Sequence, residues 1–237
     1  MAELVARGLR RRFGEAVPVD GVDLDLSAGE VFGLIGPNGG GKSTLLLLLA
    51  GLVAPSEGEV TVDGRATTEL AMAATGTVGL VTAEPGLYPL LTGWENLTYF
   101  GGLYGLTQTQ VRARATPLLD RLQLTAALDA PTARYSSGMR QKVSLARALL
   151  LSPRVLLLDE PTANLDPRAS HLVHLAVREA ADQGIAVALA THDLHAAEHV
   201  CDRVAVMDRQ LSAPQALTGD RRAPPVGALH RLLGIEP

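Results

Sequence analysis

Along the first 35 residues the hydrophobic pattern reads as strands. Val22, Leu24 and Leu26 alternate with Asp23 and Asp25, the period of a half-exposed strand. Residues 31–35 form a nearly all-apolar run, the signature of a strand buried on both faces. It leads into a glycine-rich stretch and then into five consecutive leucines at 45–49, which predict a helix apolar all round and therefore buried. Val60 and Val62 alternate before the turn pair Asp63-Gly64, and 77–82 reads as a further strand. From 84 to about 152 the pattern turns helical, with Leu118, Leu119 and Leu122 at helical spacing. Strands return at 155–158, 185–190 and 204–207, separated by helical stretches at 167–183 and 193–201. Strand–helix alternation at both ends predicts an α/β fold with a mostly parallel sheet.

The expected organisation is one domain over 1–237. Its core spans about 1–84 and 153–210, a helical subdomain is inserted at about 85–152, and 211–237 is an extension. That extension carries Pro214, Pro224, Pro225 and Pro237 and reads as loosely packed, with one short helix near 226–233.

A chain of 237 residues, 47% of them hydrophobic, buries a core without staples and is not disordered. The net charge of −4 argues against a basic nucleic-acid-binding protein, and Arg10, Arg11 and Arg12 read as a solvated strand end. Charged residues are 19%, below the roughly 25% of an average soluble domain, which points to surface covered by a partner. The single cysteine, Cys201, permits no intrachain disulfide and fits a reducing compartment. No signal-peptide pattern opens the chain, and the longest apolar run, 45–54, falls short of the about 20 residues that span a bilayer. The expectation is a soluble, cytoplasmic chain. Lysine occurs only twice, at Lys42 and Lys142, against 19 arginines. A lysine kept against that bias suggests a task for a compact point charge.

Lys42 lies in the strongest motif. Gly36, Pro37, Asn38, Gly39, Gly40, Gly41, Lys42, Ser43 and Thr44 fit G-x4-G-K-[ST], with a strand before and a helix after. The glycines allow backbone amides to surround phosphate oxygens, and the helix N-terminus adds partial positive charge. Lys42 then reaches the β- and γ-phosphates, and Ser43 holds Mg²⁺. A second motif is the apolar run 155–158 ending in Asp159 and Glu160. Acids at the carboxyl end of a buried strand lie where open α/β sheets bind ligands. Asp159 is the expected support for Mg²⁺, and Glu160 the group that polarises a water in line with the γ-phosphate.

With these motifs in place, the chain resembles the ATP-binding subunits of ABC transporters from residue 3 to about 210. Tyr135, Ser136, Ser137, Gly138 and Met139 look like a variant of the family signature, followed by Arg140-Gln141-Lys142 and Ala146-Arg147-Ala148. Ala163-Asn164-Leu165-Asp166 is similar to the D-loop, Thr191-His192-Asp193 to the switch-histidine loop, and Phe13 stands where the family places an aromatic that stacks on adenine. The resemblance implies a P-loop NTPase, RecA-like core with N-terminal antiparallel strands. It also implies ATP and Mg²⁺ as cofactors, Glu160, His192 and Lys42 as catalytic residues, and Ser43 and Asp159 at the metal. The glycine-rich loop, Phe13, the signature 135–139 and Asp166 bind ATP on this reading. It implies a head-to-tail dimer that sandwiches two ATP molecules between phosphate loop and opposite signature. The physical logic is that Ser136 and Gly138 open a helix whose free amides form a second anion site.

Two departures stand out. Ala83 occupies the Q-loop position, just before Glu84-Pro85-Gly86-Leu87-Tyr88, where the family has a glutamine that ligates Mg²⁺ and contacts the membrane subunit. Ser137 replaces a signature glycine, which a helix N-terminus tolerates. The Q-loop and signature stretches look most like those of exporters with separate membrane subunits. His195 and His199 are four apart on one helix face, the spacing of zinc ligands, but read as a solvated face, as do His171 and His174. Cys201 reads as a packed thiol.

The expected function is an ATP-hydrolysing subunit that powers export. Its expected partners are transmembrane permease subunits and a second copy of itself or a paralogous ATPase, on the cytoplasmic face of the inner or plasma membrane. No nucleic-acid partner is expected. Leu87, Tyr88 and Trp94 are expected near the docking groove. The competing readings are a weakly hydrolysing ATP-gated module, motivated by Ala83, and a soluble ATPase acting on nucleic acid or ribosomes.

Overall fold

The structure, a computed structural model, describes residues 2–217. A long hairpin, β1 (Ala2–Phe13) and β2 (Ala16–Ser27), starts the chain. The chain then leaves that sheet as β3 (Val31–Ile35), and returns as β4 (Glu57–Val62), antiparallel to β1, and β5 (Arg65–Ala66). This gives a four-stranded antiparallel sheet in the order β2-β1-β4-β5. Arg10 and Arg11 are absorbed locally: Arg10 pairs with Asp20 and Glu57, and the Arg11 guanidinium lies 4.4 Å over the Phe13 ring.

The second sheet collects β3, β6 (Val78–Val81), β7 (Val155–Asp159), β8 (Ala186–Thr191) and β9 (Arg203–Asp208), all parallel, in the order β9-β3-β8-β7-β6. Every residue of β3, β7 and β8 is buried, because both faces are covered. Two short strands, β10 (Gln210–Leu211) and β11 (Gln215–Ala216), run antiparallel on β9. The extension expected beyond 211 to be loosely packed therefore starts as part of the sheet, through backbone pairing of Gln215 with Val204. The short helix expected near 226–233 lies outside the described residues.

Helix α1 (Lys42–Leu49) lies between the sheets, with Leu45, Leu46, Leu48 and Leu49 all at most 1% exposed. It shares one core with β1, β2 and the side chains Phe32, Leu34, Val155 and Leu157. The opposite face of the parallel sheet, through Val31, Ile35, Leu156 and Leu158, continues into the helices without a break. Those helices are α3 (Gly93–Leu103), α4 (Gln108–Arg121), α5 (Ser137–Leu149), α6 (Pro167–Asp182) and α7 (Leu194–Val200). A short helix α2 (Thr67–Met72), too brief for a periodic signal, is an addition to the sequence expectation.

The topology decides where the chemistry collects. β8 lies between β3 and β7, with Ile35 level with Thr191 and Asp159 level with Ala190. The carboxyl ends of three adjacent parallel strands therefore open side by side.

Candidate nucleotide-hydrolysis site

From β3 the chain enters the glycine loop. A Cβ on Gly36 would stand 2.2 Å from the Met207 carbonyl oxygen, and one on Gly41 2.0 Å from that of Pro18. Gly41, at φ 95°, caps α1 in a conformation that side chains disfavour. The loop is thus wedged against β9 and β2. Pro37, Asn38 and Gly39 are exposed and Gly40 is buried. No side chain caps α1, so its first amides are free at the loop. Lys42 is 5% exposed, and its Nζ donates to the carbonyls of Gly36 (2.7 Å) and Pro37 (3.1 Å). Ser43 is exposed and Thr44 half-buried.

At the end of β7, Asp159 is buried beside Ser43. Burial pushes its carboxyl above the usual carboxylate range; the neighbouring Ser43 hydroxyl and, less strongly, Lys42 oppose the shift, and Glu160 adds to it. Glu160 takes φ 47°, a left-handed backbone rare outside glycine, and its N–H donates to the Ala190 carbonyl at 2.9 Å. Its carboxylate is gripped from β8: Oε1 accepts from His192 Nδ1 at 2.9 Å and Oε2 from Thr191 Oγ1 at 3.3 Å. Lys42 Nζ stands 3.9 Å from Oε1. Lys42, Ser43, Asp159, Glu160 and His192 thus form one continuous polar cluster. Thr191, 2% exposed, has a double role that its place in a loop motif does not announce: besides bonding Glu160, its hydroxyl accepts the Asp193 N–H at 3.0 Å.

The signature lies elsewhere. Ser136 caps α5, its hydroxyl accepting from the Met139 N–H. Ser137 Oγ donates to the Asn164 carbonyl at 3.2 Å, and a Cβ on Gly138 would stand 3.3 Å from Ala169 Cβ. Asp166 caps α6 through the Ala169 N–H. Signature and D-loop stretch therefore abut, but no hydrogen bond or ion pair among the described residues joins 135–139 to 36–44. The Tyr135 side chain turns inward, 4% exposed, its hydroxyl donating to the Ala127 carbonyl, and Met139 packs against the core. Phe13 is 50% exposed.

Ala83 and Glu84 are exposed, and the Glu84 side chain makes no hydrogen bond or ion pair with Ser43 or Asp159. Trp94, expected at the docking groove, is 7% exposed beneath the Arg112 guanidinium, since its indole fills the helical core. Asn96, missed in the sequence although it is polar within an apolar helix face, is fully buried and fixes the 88–92 loop through both its amide groups. His195 and His199 are exposed with ring centroids 4.2 Å apart. Among the described residues no group of three or more His, Cys, Asp or Glu is placed to hold a metal ion. His174 departs from the expected solvated face: its Nε2 is buried without a hydrogen-bond partner, and burial pulls its pKa below the usual histidine range. Cys201 is a buried thiol whose pKa burial pushes up.

A glycine loop, a lysine and two strand-end acids define a P-loop nucleotide hydrolase. Residues 19–163 match the family described as ABC transporter. The chain is 39% identical over 213 residues to a Nod factor export ATP-binding protein I of Paraburkholderia xenovorans, covering 88% of this chain and 70% of that one. It is 34% identical over 206 residues to a linearmycin resistance ATP-binding protein of Bacillus subtilis, covering 87% and 66%. Among solved structures, an ATP-binding subunit of an ABC transporter superposes with TM-score 0.83 at 29% identity, covering 98% of this chain and 93% of that one. The dimeric post-hydrolysis state of an ATP-binding cassette bound to ADP and Pi gives 0.81 at 28%, covering 92% and 100%. The chain belongs to the ABC transporter family, as one of its ATP-binding, ATP-hydrolysing subunits. No helix among the described residues is long and apolar enough to cross a membrane.

Proposed function

We propose that the chain powers export by hydrolysing ATP in a head-to-tail homodimer docked on separate membrane-spanning subunits at the cytoplasmic face. The observation that carries the reading is the grip on Glu160 at the mouth of the glycine loop, by Thr191, His192 and, at longer range, Lys42. A carboxylate held in this way is oriented to accept a proton from a water attacking the γ-phosphate. Lys42 offsets phosphate charge, and the amides of the loop and of α1 bind the phosphate oxygens. His192 orients Glu160 through Nδ1 and keeps Nε2 for the γ-phosphate. Phe13 offers an exposed ring face to adenine.

Ser43 and Asp159 suit a hard divalent cation, being a hydroxyl and a buried carboxylate side by side at the mouth of the glycine loop. They are the residues to hold Mg²⁺, which when bound neutralises phosphate charge. Ala83 contributes no ligand. The signature, remote from its own loop, suits the nucleotide of a second copy: the first-turn amides of α5 left uncapped and the exposed Ser136 would meet that nucleotide, while Ser137 is held to the Asn164 carbonyl and Asp166 orders the adjoining loop. The tyrosine at 135 acts through its backbone. Export rather than import rests on the relatives named for Nod factor export and linearmycin resistance. The weakly hydrolysing alternative rests on Ala83 alone, against an intact Lys42, Asp159, Glu160 and His192.

The test is steady-state turnover of the purified chain. Glu160→Gln keeps shape and removes the charge, so turnover falls by about 10² to 10⁴-fold while ATP binding persists. Turnover within about threefold of the parent, far short of a general-base loss, removes Glu160 from that role and favours the weakly hydrolysing module.

A further inference from the structure

Phe13 ends β1, and its strand partner Ala16 lies two residues before the Pro18 carbonyl against which the glycine loop packs. The β1–β2 register shifts between Arg11 and Phe13, and at such an irregularity the ladder alone does not fix where a side chain points. Arg11 supplies the missing restraint. Its guanidinium lies 4.4 Å from the centroid of the Phe13 ring, well inside cation–π range, and its Nη1 donates to the Ala54 carbonyl at 2.8 Å. Ala54 belongs to the segment that follows α1. Ser56 stitches the same segment to β1: its N–H donates to the Arg10 carbonyl at 2.8 Å, and its hydroxyl accepts the Arg12 N–H at 3.1 Å. Arg11 is half-buried, and its Nε is buried without a hydrogen-bond partner among the described residues. An arginine at a solvated strand end keeps that donor in water, and leaving it unpaired is costly. The ring stack and the carbonyl bond hold the side chain in place against that cost.

We propose that Arg11 is a positioning residue for nucleotide binding: it clamps the Phe13 ring and ties it to the segment leaving α1, so that the free ring surface meets adenine in a fixed place relative to the phosphate loop. The inference rests on the adenine reading of Phe13 above and adds the residue that turns the ring into a platform. With the guanidinium on it, Phe13 is still 50% exposed, which leaves ring surface for a flat base. The Ala54 bond links that ring to the chain that emerges from α1, the helix whose uncapped first amides lie at the glycine loop, so the base platform and the phosphate site share one anchor. Arginine suits the task because a planar guanidinium stacks on a ring and donates from its edge at once, which a lysine ammonium does not do. A ring held in its binding position before the nucleotide arrives saves the cost of immobilising one side chain, a factor of about two to ten in affinity.

The experiment is titration calorimetry of the full chain with Mg²⁺ and two probes: ADP, which carries the base, and inorganic triphosphate, which does not. Arg11→Met weakens ADP about two- to tenfold and leaves triphosphate at the parent affinity. In steady-state turnover of the same variant KM for ATP rises and kcat stays, the pattern of lost ground-state binding. Arg11→Lys, which keeps the cation without the planar fork, loses less. Phe13→Ala weakens ADP as well, and adding Arg11→Met to it costs nothing further, because both act through one ring. Thermal unfolding reports whether Arg11→Met is folded; Arg11→Gln, which keeps a donor for the Ala54 carbonyl, carries the same expectation if it is not. If the folded Arg11 variants bind ADP as the parent does, if triphosphate weakens as much as ADP, or if the double variant loses the sum of the two single losses, Arg11 does not act through the ring and the inference falls while the reading of Phe13 stands. If Phe13→Ala binds ADP as the parent does, the adenine reading falls and the inference with it.

Discussion

Glu160 sits in the left-handed region at φ 47°, a backbone cost of order 1–3 kcal/mol that persists where surroundings over-determine it. Its N–H is bonded to Ala190 and its carboxylate to Thr191 and His192, so the strain aims the side chain. Thr191→Val keeps the volume and removes the hydroxyl. A hydrogen bond to a charged group is worth about 1.5–3 kcal/mol, so kcat should fall roughly tenfold or more with KM for ATP little changed. An unchanged kcat in steady-state assays would free Thr191 from this role. His174 makes a separate prediction about stability. Its folded pKa lies below its unfolded value, so the unfolded chain binds the proton more readily. The stabilisation is present above the ordinary histidine range, about 6.5, and is lost as pH falls through the lower folded value. Thermal unfolding across that window should show Tm declining on acidification, with a shallower decline in His174→Phe. Lys42, Ser43 and Asp159 were legible in the sequence because each lies in a contiguous motif, the first two in 36–44 and the third at the end of the run 155–159. Thr191 and His174 were not, because the carboxylate that Thr191 bonds and the packing that buries His174 come from other elements, which periodicity along one element does not reveal.

Helix ends provide a comparison at the next scale. Thr92 and Ser136 do the same local work, each accepting an N–H at the start of a helix, and Thr92 also forms a capping box with Glu95. Replacing such a cap by alanine costs about 1 kcal/mol, or roughly 2–4 °C of Tm in a chain of this size. Thr92→Ala and Ser136→Ala should therefore lose similar stability in thermal unfolding. Only Ser136→Ala should also weaken ATP-dependent self-association, since Ser136 faces the second nucleotide in the proposed dimer; equal effects of both variants would reduce the signature to a cap. The parallel strands were legible because strands covered on both faces are apolar without interruption. Helix ends shifted by a residue, from 193–201 to Leu194–Val200 for instance, because Asp193 is a cap. The strand β11 was invisible for a different reason: Gln215 and Ala216 are exposed, and only backbone pairing holds them to β9.

At the scale of the molecule, the fold assembles half of each proposed site. Lys42, Asp159, Glu160 and His192 converge because β3, β8 and β7 are neighbours, whereas Ser136 and Gly138 open a helix packed on α6. The order of motifs along the chain announced both halves; their separation within one copy needed the three-dimensional arrangement. A second copy in head-to-tail orientation closes both sites, with ATP as the bridge, so association should follow ATP occupancy and outlast it only while hydrolysis is blocked. Glu160→Gln leaves the loop amides and Lys42 intact, and so should bind ATP, turn over slowly and accumulate as a dimer. Lys42→Ala removes the buried ammonium at the centre of the loop, and so should lose nucleotide affinity and with it the dimer. Light scattering coupled to size exclusion, with and without ATP and Mg²⁺, reads the difference directly: a doubled mass for Glu160→Gln with ATP, and a monomer for Lys42→Ala under both conditions. A monomeric Glu160→Gln chain with ATP demonstrably bound would show that the signature half is supplied by a different subunit, and the homodimer would give way to a heterodimer with a paralogous ATPase.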